Sequence, residues 1–70
     1  MLPLIFADEG EENIIARIGG SPETRQHLAD MGFVPGSSAT VVSSNGGNLI
    51  VKVKDSRIAI SKEMASKIMI

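Results

Sequence analysis

The 70-residue sequence contains no cysteine and only two aromatic residues, Phe6 and Phe33. Without cysteine, neither a disulfide framework nor a thiolate metal site can add to the stability of so short a chain. The stability must come from one small apolar core, which contributes about 3–5 kcal/mol in a domain of this size. Because 43% of the residues are hydrophobic, the chain is too apolar to be disordered, and we expect a single folded domain over residues 1–70.

Long apolar runs are also absent. A helix that spans a bilayer needs about 20 mostly apolar residues, and the stretch MLPLIFA at 1–7 is far shorter. That stretch also lacks the cationic flank of a secretory signal. The sequence therefore predicts neither a membrane span nor secretion, and the expected compartment is the cytoplasm.

The formal net charge of −1 is unevenly distributed. Four of the eight acids lie in DEGEE at 8–12, so the rest of the chain is mildly basic. The acidic run lacks the residue spacing of a calcium-binding loop. We interpret residues 1–12 as an extended, solvated N-terminal arm, from which Leu2, Leu4 or Phe6 packs against the core.

Alternation of apolar residues predicts about five short strands. In the first, Ile14 and Ile18 alternate with Ile15 and Arg17, until Gly19 and its neighbouring glycine end the strand. NGGN at 45–48 is typical of a hairpin turn, because Asn and Gly tolerate positive φ. The remaining strands are predicted at 37–44, 49–54, 57–60 and 68–70, with a turn at Asp55-Ser56 between the third and fourth.

One short helix is predicted between the first and second strands. Ser21 can cap its free amides, and Pro22 occupies the first helical position, where no amide is required. Leu28 and Met31 share one face, and Gly32 lies where a left-handed residue ends a helix.

A helical turn beginning at Ser61 is predicted before the last strand, with Met64, Ala65 and Ile68 facing inward. A single small sheet would leave unprotected edges, and curling into a barrel removes most of them. The predicted fold is mainly β: a small SH3-like barrel of about five strands.

Catalysis and metal binding are not indicated. His27 is the only histidine, and Glu23 one turn before it would complete only a two-ligand site, so we interpret His27 as an exposed surface residue. The sequence specifies no nucleophile–base pair and no carboxylate pair. It therefore predicts a protein that is not an enzyme and has no cofactor or metal site.

Lys52, Lys54 and Arg57 form a basic cluster on one predicted hairpin. Lysines that protect an edge strand against aggregation are the favoured interpretation. A basic patch that contacts a protein is the second. Nucleic-acid binding is the third, although the hairpin lacks the aromatic side chains on which bases stack.

Two stretches of the sequence resemble the FeoA family, the ferrous iron transport protein A type of small SH3-like domain. They are RQHLADMGFVPG at 25–36 and IAISKEMASKIMI at 58–70, with IIARIGG at 14–20 in the place of the first strand. The motif positions that carry the resemblance are Leu28, Met31, Gly32, Pro35, Gly36, Ile58, Ala59 and Ala65.

The resemblance implies a cytoplasmic accessory protein of ferrous iron uptake that contacts the cytosolic GTPase region of the membrane transporter without carrying iron. We expect the partner surface on the helix and its following turn, at Arg25, His27, Asp30 and Phe33. The competing interpretation is an inert solvated helix face with Phe33 in the core.

A regulatory module is the alternative function, because the same fold and much of the pattern occur as the C-terminal domain of iron-dependent repressors. Such a module would bind a peptide or a ligand instead of the transporter. A chain that starts at Met1 without DNA-binding helices favours the transport-associated form. An uncovered edge strand also allows a weak homo-oligomer.

Overall fold

The computed structural model describes residues 1–70, in which short strands predominate. Two α-helices and one turn of 3₁₀ helix complete the secondary structure. None of the helices has the length and apolarity needed to cross a membrane. In chain order the elements are the 3₁₀ helix Leu4–Phe6, β1 at Glu12–Ile14, β2 at Arg17–Ile18, α1 at Pro22–Asp30, β3 at Ser38–Asn45, β4 at Asn48–Val53, β5 at Ser56–Ser61, α2 at Lys62–Ala65 and β6 at Ile68–Met69.

The strands form two antiparallel sheets around one core. The larger sheet has the order β1-β3-β4-β5, and β2 pairs with β6 in the smaller one. The core consists of thirteen buried apolar residues, which come from both sheets, both α-helices, the 3₁₀ turn and two connecting segments. The predicted small SH3-like fold is confirmed, although the barrel is not closed, since β1 and β5 remain edges of the larger sheet.

The first predicted strand is divided into two, which corrects the continuous strand expected there. The Ile15 N–H donates to the Ser37 carbonyl at 2.8 Å, whereas the Ala16 N–H donates to the Met69 carbonyl at 2.7 Å. The chain therefore leaves the larger sheet and joins the smaller one between these two residues. This change of sheet breaks the alternation, so that Ile14 is 59% exposed while Ile15 is buried.

Both β-hairpins have two-residue loops. Asn45 pairs with Asn48 across Gly46, whose φ is 59°, as NGGN predicted. In the second hairpin, Val53 pairs with Ser56, and Lys54 has a φ of 56°. The two residues between this pair, Lys54 and Asp55, form the turn, with Lys54 in the left-handed conformation. The turn therefore lies one residue earlier than predicted.

The basic cluster lies on a strand pair that includes an internal strand. β4 pairs with β3 on one side and with β5 on the other, and Lys52 is directly opposite Arg57. Protection of an edge strand therefore does not explain Lys52, which corrects the favoured interpretation of this cluster. Like charges directly opposite each other weaken a strand pair. Nothing in the structure explains the pairing of Lys52 with Arg57.

The N-terminal arm is not extended throughout, because residues Leu4–Phe6 form the 3₁₀ turn. Leu4 is its buried residue, whereas Leu2 is 57% and Phe6 65% exposed. Reciprocal backbone hydrogen bonds of 3.0 and 2.7 Å join Leu2 to Ile70. The arm is thereby attached to the last strand of the smaller sheet.

The C-terminal elements agree with the sequence prediction. The Ser61 side chain caps α2 by accepting a hydrogen bond of 3.1 Å from the Met64 N–H. Ala65 and Ile68 are fully buried, and Met64 is half-buried against the core. β6 then pairs with β2 and completes the smaller sheet.

Candidate functional site

Helix α1 begins as its sequence predicts. The Ser21 hydroxyl oxygen accepts a hydrogen bond of 3.2 Å from the Thr24 N–H, and Pro22 is the first helical residue. The negative charge of Glu23 in the first turn complements the positive end of the helix dipole. These interactions stabilise the first turn of α1, which follows β2 in the chain.

Helix α1 ends in a Schellman motif. The Gly32 N–H donates to the Ala29 carbonyl at 2.9 Å, and the Phe33 N–H donates to the Leu28 carbonyl at 2.9 Å. Gly32 is buried and has a φ of 101°, a conformation that L-residues adopt only with strain. The motif directs Phe33 back towards Leu28, and both side chains are fully buried.

A second turn follows at Pro35-Gly36. The Ser37 N–H donates to the Val34 carbonyl at 3.1 Å, and Gly36 has a φ of 91°, which is the geometry of a type II turn. The Gly36 N–H donates to the Ile15 carbonyl at 2.8 Å. The turn is thus attached to the point at which the chain changes sheets.

These elements border the one cavity of the molecule, an open groove of about 540 Å³. One side is formed by the start of the smaller sheet, another by α1, and the end by the segment that leads into the Pro-Gly turn. We call it the α1–β2 groove. Its lining residues are Ala16, Arg17, Ile18, Pro22, Arg25, Gln26, Ala29, Phe33, Val34 and Pro35.

The charged groups of the α1–β2 groove are all positive. Arg17 and Arg25 line it, and no acidic side chain does. Neither guanidinium takes part in the side-chain hydrogen bonds of the molecule. Gln26 is oriented by Asp30, since its Nε2 donates to the Asp30 Oδ1 at 2.8 Å. The groove can therefore bind an anionic group without displacing an internal partner.

The four residues expected at the partner surface lie in three different positions. Arg25 lines the groove, whereas His27 and Asp30 are exposed and do not line it. Phe33 is fully buried, as the competing interpretation had it, and lies beneath the groove. Three of the four side chains are therefore exposed on α1, and of these only Arg25 lines the groove.

The sequence does not indicate most of the groove residues, although it carries a signal for the part of the groove that α1 forms. Pro22, Arg25, Gln26 and Ala29 follow the spacing i, i+3, i+4, i+7, which places them on one helix face. The sequence alone does not distinguish such a mixed stripe of polar and apolar residues from solvated surface. Arg17 could not be found, because the change of sheet that places it beside α1 is not visible in the sequence.

No cluster of three or more His, Asp or Glu side chains lies close enough together to hold a metal ion. In the acidic run, the Glu9 carboxylate accepts a hydrogen bond of 3.1 Å from the Ser44 N–H. His27 is exposed on the outer side of α1. The groove itself is lined by cationic, amide and apolar groups.

Three further motif positions, Ile58, Ala59 and Ala65, lie outside the groove. Ala65 is fully buried, and Ile58 is half-buried against the core. Ala59 is exposed on the edge strand β5. None of the three lines the groove.

Comparison with known proteins gives similarities over the whole chain. The FeoA domain model matches residues 2–70. A protein of Methanocaldococcus jannaschii, provisionally described as an Fe(2+) transport protein A, is 41% identical over 70 residues, which cover this whole chain and 85% of that protein.

Two solved structures share the fold. The crystal structure of an iron uptake regulatory protein (FeoA) is 32% identical with a TM-score of 0.88, over 96% of this chain and 91% of that one. A manganese-dependent transcriptional repressor is 20% identical with a TM-score of 0.85, over 94% of this chain and 38% of that one. The second similarity concerns the fold alone. The family match and the identity to the archaeal protein show that this chain belongs to the FeoA family.

Proposed function

We propose that this protein is a cytoplasmic accessory protein of ferrous iron uptake. It modulates the membrane iron transporter by contacting the transporter's cytosolic GTPase region. The contact surface comprises α1 and the turns after it, residues 21–36, with Arg25, His27 and Asp30 exposed on it. Phe33 contributes from beneath, by shaping the floor of the groove.

The observation that carries the proposal is the position of the only cavity. The α1–β2 groove is bordered by the segment 25–36, the same segment that carries the family motif. Leu28 and Gly32 of that motif maintain the fold, while Arg25 and Pro35 line the groove. The segment that carries the motif thus borders a concave surface, and concave surfaces with a few polar groups are where ligands and partners bind.

The connection with iron comes from the family, since the similar proteins are described as an Fe(2+) transport protein and an iron uptake regulatory protein. The residues themselves favour protein contact over iron carriage, because no cluster of metal-ligating side chains is present. No nucleophile–base arrangement is formed around the single histidine either. The proposed role is therefore binding without catalysis.

The test is an amide NMR titration of this protein with the recombinant GTPase domain of its host's ferrous transporter. We expect shifts concentrated in residues 21–36 and in Arg17, and unperturbed amides in the β3–β4 hairpin. If no amide moves at a high concentration of the GTPase domain, direct contact is excluded. The alternative, a regulatory module that binds a peptide or ligand, would then be the better account.

A further inference from the structure

We propose that the α1–β2 groove binds an extended acidic segment of the transporter's cytosolic region, with carboxylates held by Arg17 and Arg25. This inference rests on the proposed function. It restricts the contact to the face of α1 that lines the groove, and it specifies that the ligand is an acidic peptide segment.

The charge of the groove selects the ligand. Both charged lining residues are arginines, and no acid lines the groove. Asp30, on the same helix, already accepts a hydrogen bond of 2.8 Å from Gln26. A planar guanidinium forms two parallel hydrogen bonds with one carboxylate, so two arginines suit a segment that carries two carboxylates.

The shape of the groove selects an extended backbone. Its floor is apolar, since Ile18 is 8% exposed and Phe33 is fully buried. β2 has a neighbouring strand on one side only, and residues 16–18 line the groove. In an extended peptide, successive side chains point to opposite sides. One apolar side chain can therefore reach the floor while its acidic neighbours remain at the rim beside the arginines.

The chain's own acidic run is engaged elsewhere. The Gly10 N–H donates to the Val41 carbonyl at 2.8 Å, and Glu9 accepts from the Ser44 N–H at 3.1 Å. Both contacts hold the run against β3, which does not line the groove. The ligand must therefore come from another molecule.

The first experiment measures the affinity for the intact GTPase domain with two matched double variants. Arg17→Gln/Arg25→Gln removes both cations of the groove, whereas Lys52→Gln/Arg57→Gln removes two cations from the β4–β5 hairpin. All four side chains are exposed, so the fold should be retained in both variants. We expect Kd to rise about tenfold, or about 1.4 kcal/mol, for the groove variant and less than twofold for the hairpin variant.

The second experiment identifies the segment. Overlapping 12-residue peptides that cover the transporter's cytosolic sequence are titrated against the labelled protein. We expect shifts at Ala16, Arg17, Arg25 and Ala29 only with acidic peptides, and their loss when each Glu is replaced by Gln and each Asp by Asn. The shifts should also weaken as salt rises, because exposed charges are screened.

The outcomes separate the two proposals. Absence of binding to the GTPase domain would overturn the proposed function. Binding that is equally strong in both double variants would overturn only the acidic ligand. Binding of peptides regardless of their charge would also overturn the proposal of an acidic ligand. A concentration-dependent dimer in which a second copy's acidic run occupies the groove would also overturn it.

Discussion

At the scale of single residues, Gly32 is the position on which the site depends most. Its φ of 101° ends α1 and directs Phe33 under the groove. A Cβ at this position would meet Val53 Cγ2 at 3.6 Å and Lys54 Cδ at 3.7 Å, which are ordinary van der Waals contacts. The requirement for glycine is therefore conformational, and steric exclusion has little part in it.

The first prediction concerns Gly32→Ala. We expect the free energy of unfolding to fall by about 1–2 kcal/mol, because an L-residue at this φ is strained. Chemical denaturation measures the change. The matched control is Gly47→Ala, since Gly47 lies in a turn without a positive φ and with no atom within 4 Å of a Cβ. A loss for Gly32→Ala no larger than for this control would show that the helix end does not require glycine.

Prediction from sequence succeeded at the residues that fix local geometry. Ser21 and Gly32 are each predicted correctly, because a serine hydroxyl can accept from a free helix amide and glycine tolerates a positive φ. At Phe33 the sequence leaves two expectations open, the partner surface and the core, and the side chain is buried. The reason is physical: the Schellman motif pairs the residue after its glycine with the helix's own apolar face.

At the scale of elements, α1 presents three faces. One face carries Leu28 into the core, and the next, with Arg25 and Ala29, lines the groove. His27 lies on the outer face. A nine-residue helix is too short to be stable alone, so its docking between the core and the smaller sheet holds it in place.

The second prediction concerns the cap of this helix. Ser21→Ala removes the acceptor of the Thr24 N–H and should lower the free energy of unfolding by about 1 kcal/mol. Hydrogen exchange should also become faster at Thr24 and Arg25, because the first turn frays. Ser44→Ala is the control, since the Ser44 side chain forms no hydrogen bond. Unchanged exchange at Thr24 would contradict the role of the cap.

The elements were largely predictable, whereas their division between sheets was not. The helices and hairpins follow from caps, glycines and alternation, which are local signals. The split of residues 12–18 into β1 and β2 depends on Ser37 and Met69, which lie far away in the sequence. Local patterns in a single sequence do not specify the distant strand to which a backbone amide will donate its hydrogen bond.

At the scale of the whole molecule, the groove exists because three separated segments converge. The change of sheet places Arg17 beside α1, and the Ile15 carbonyl holds the Pro-Gly turn at 2.8 Å from the Gly36 nitrogen. The core beneath it is small and apolar, and it contains no buried polar or charged residue. The charged side chains of the groove, Arg17 and Arg25, therefore lie at its exposed rim.

The measurement that tests the central claim most directly is ferrous iron uptake by cells that lack the chromosomal gene and carry variants of this protein. Ala29→Arg fills the α1–β2 groove, and Ala59→Arg places the same side chain on the exposed edge strand β5, outside the groove. Thermal unfolding of the purified variants confirms that both are folded. We expect Ala59→Arg to restore the wild-type uptake rate and Ala29→Arg to leave the rate of the deletion strain. Full restoration by Ala29→Arg would contradict the claim that this protein acts on the transporter through the groove.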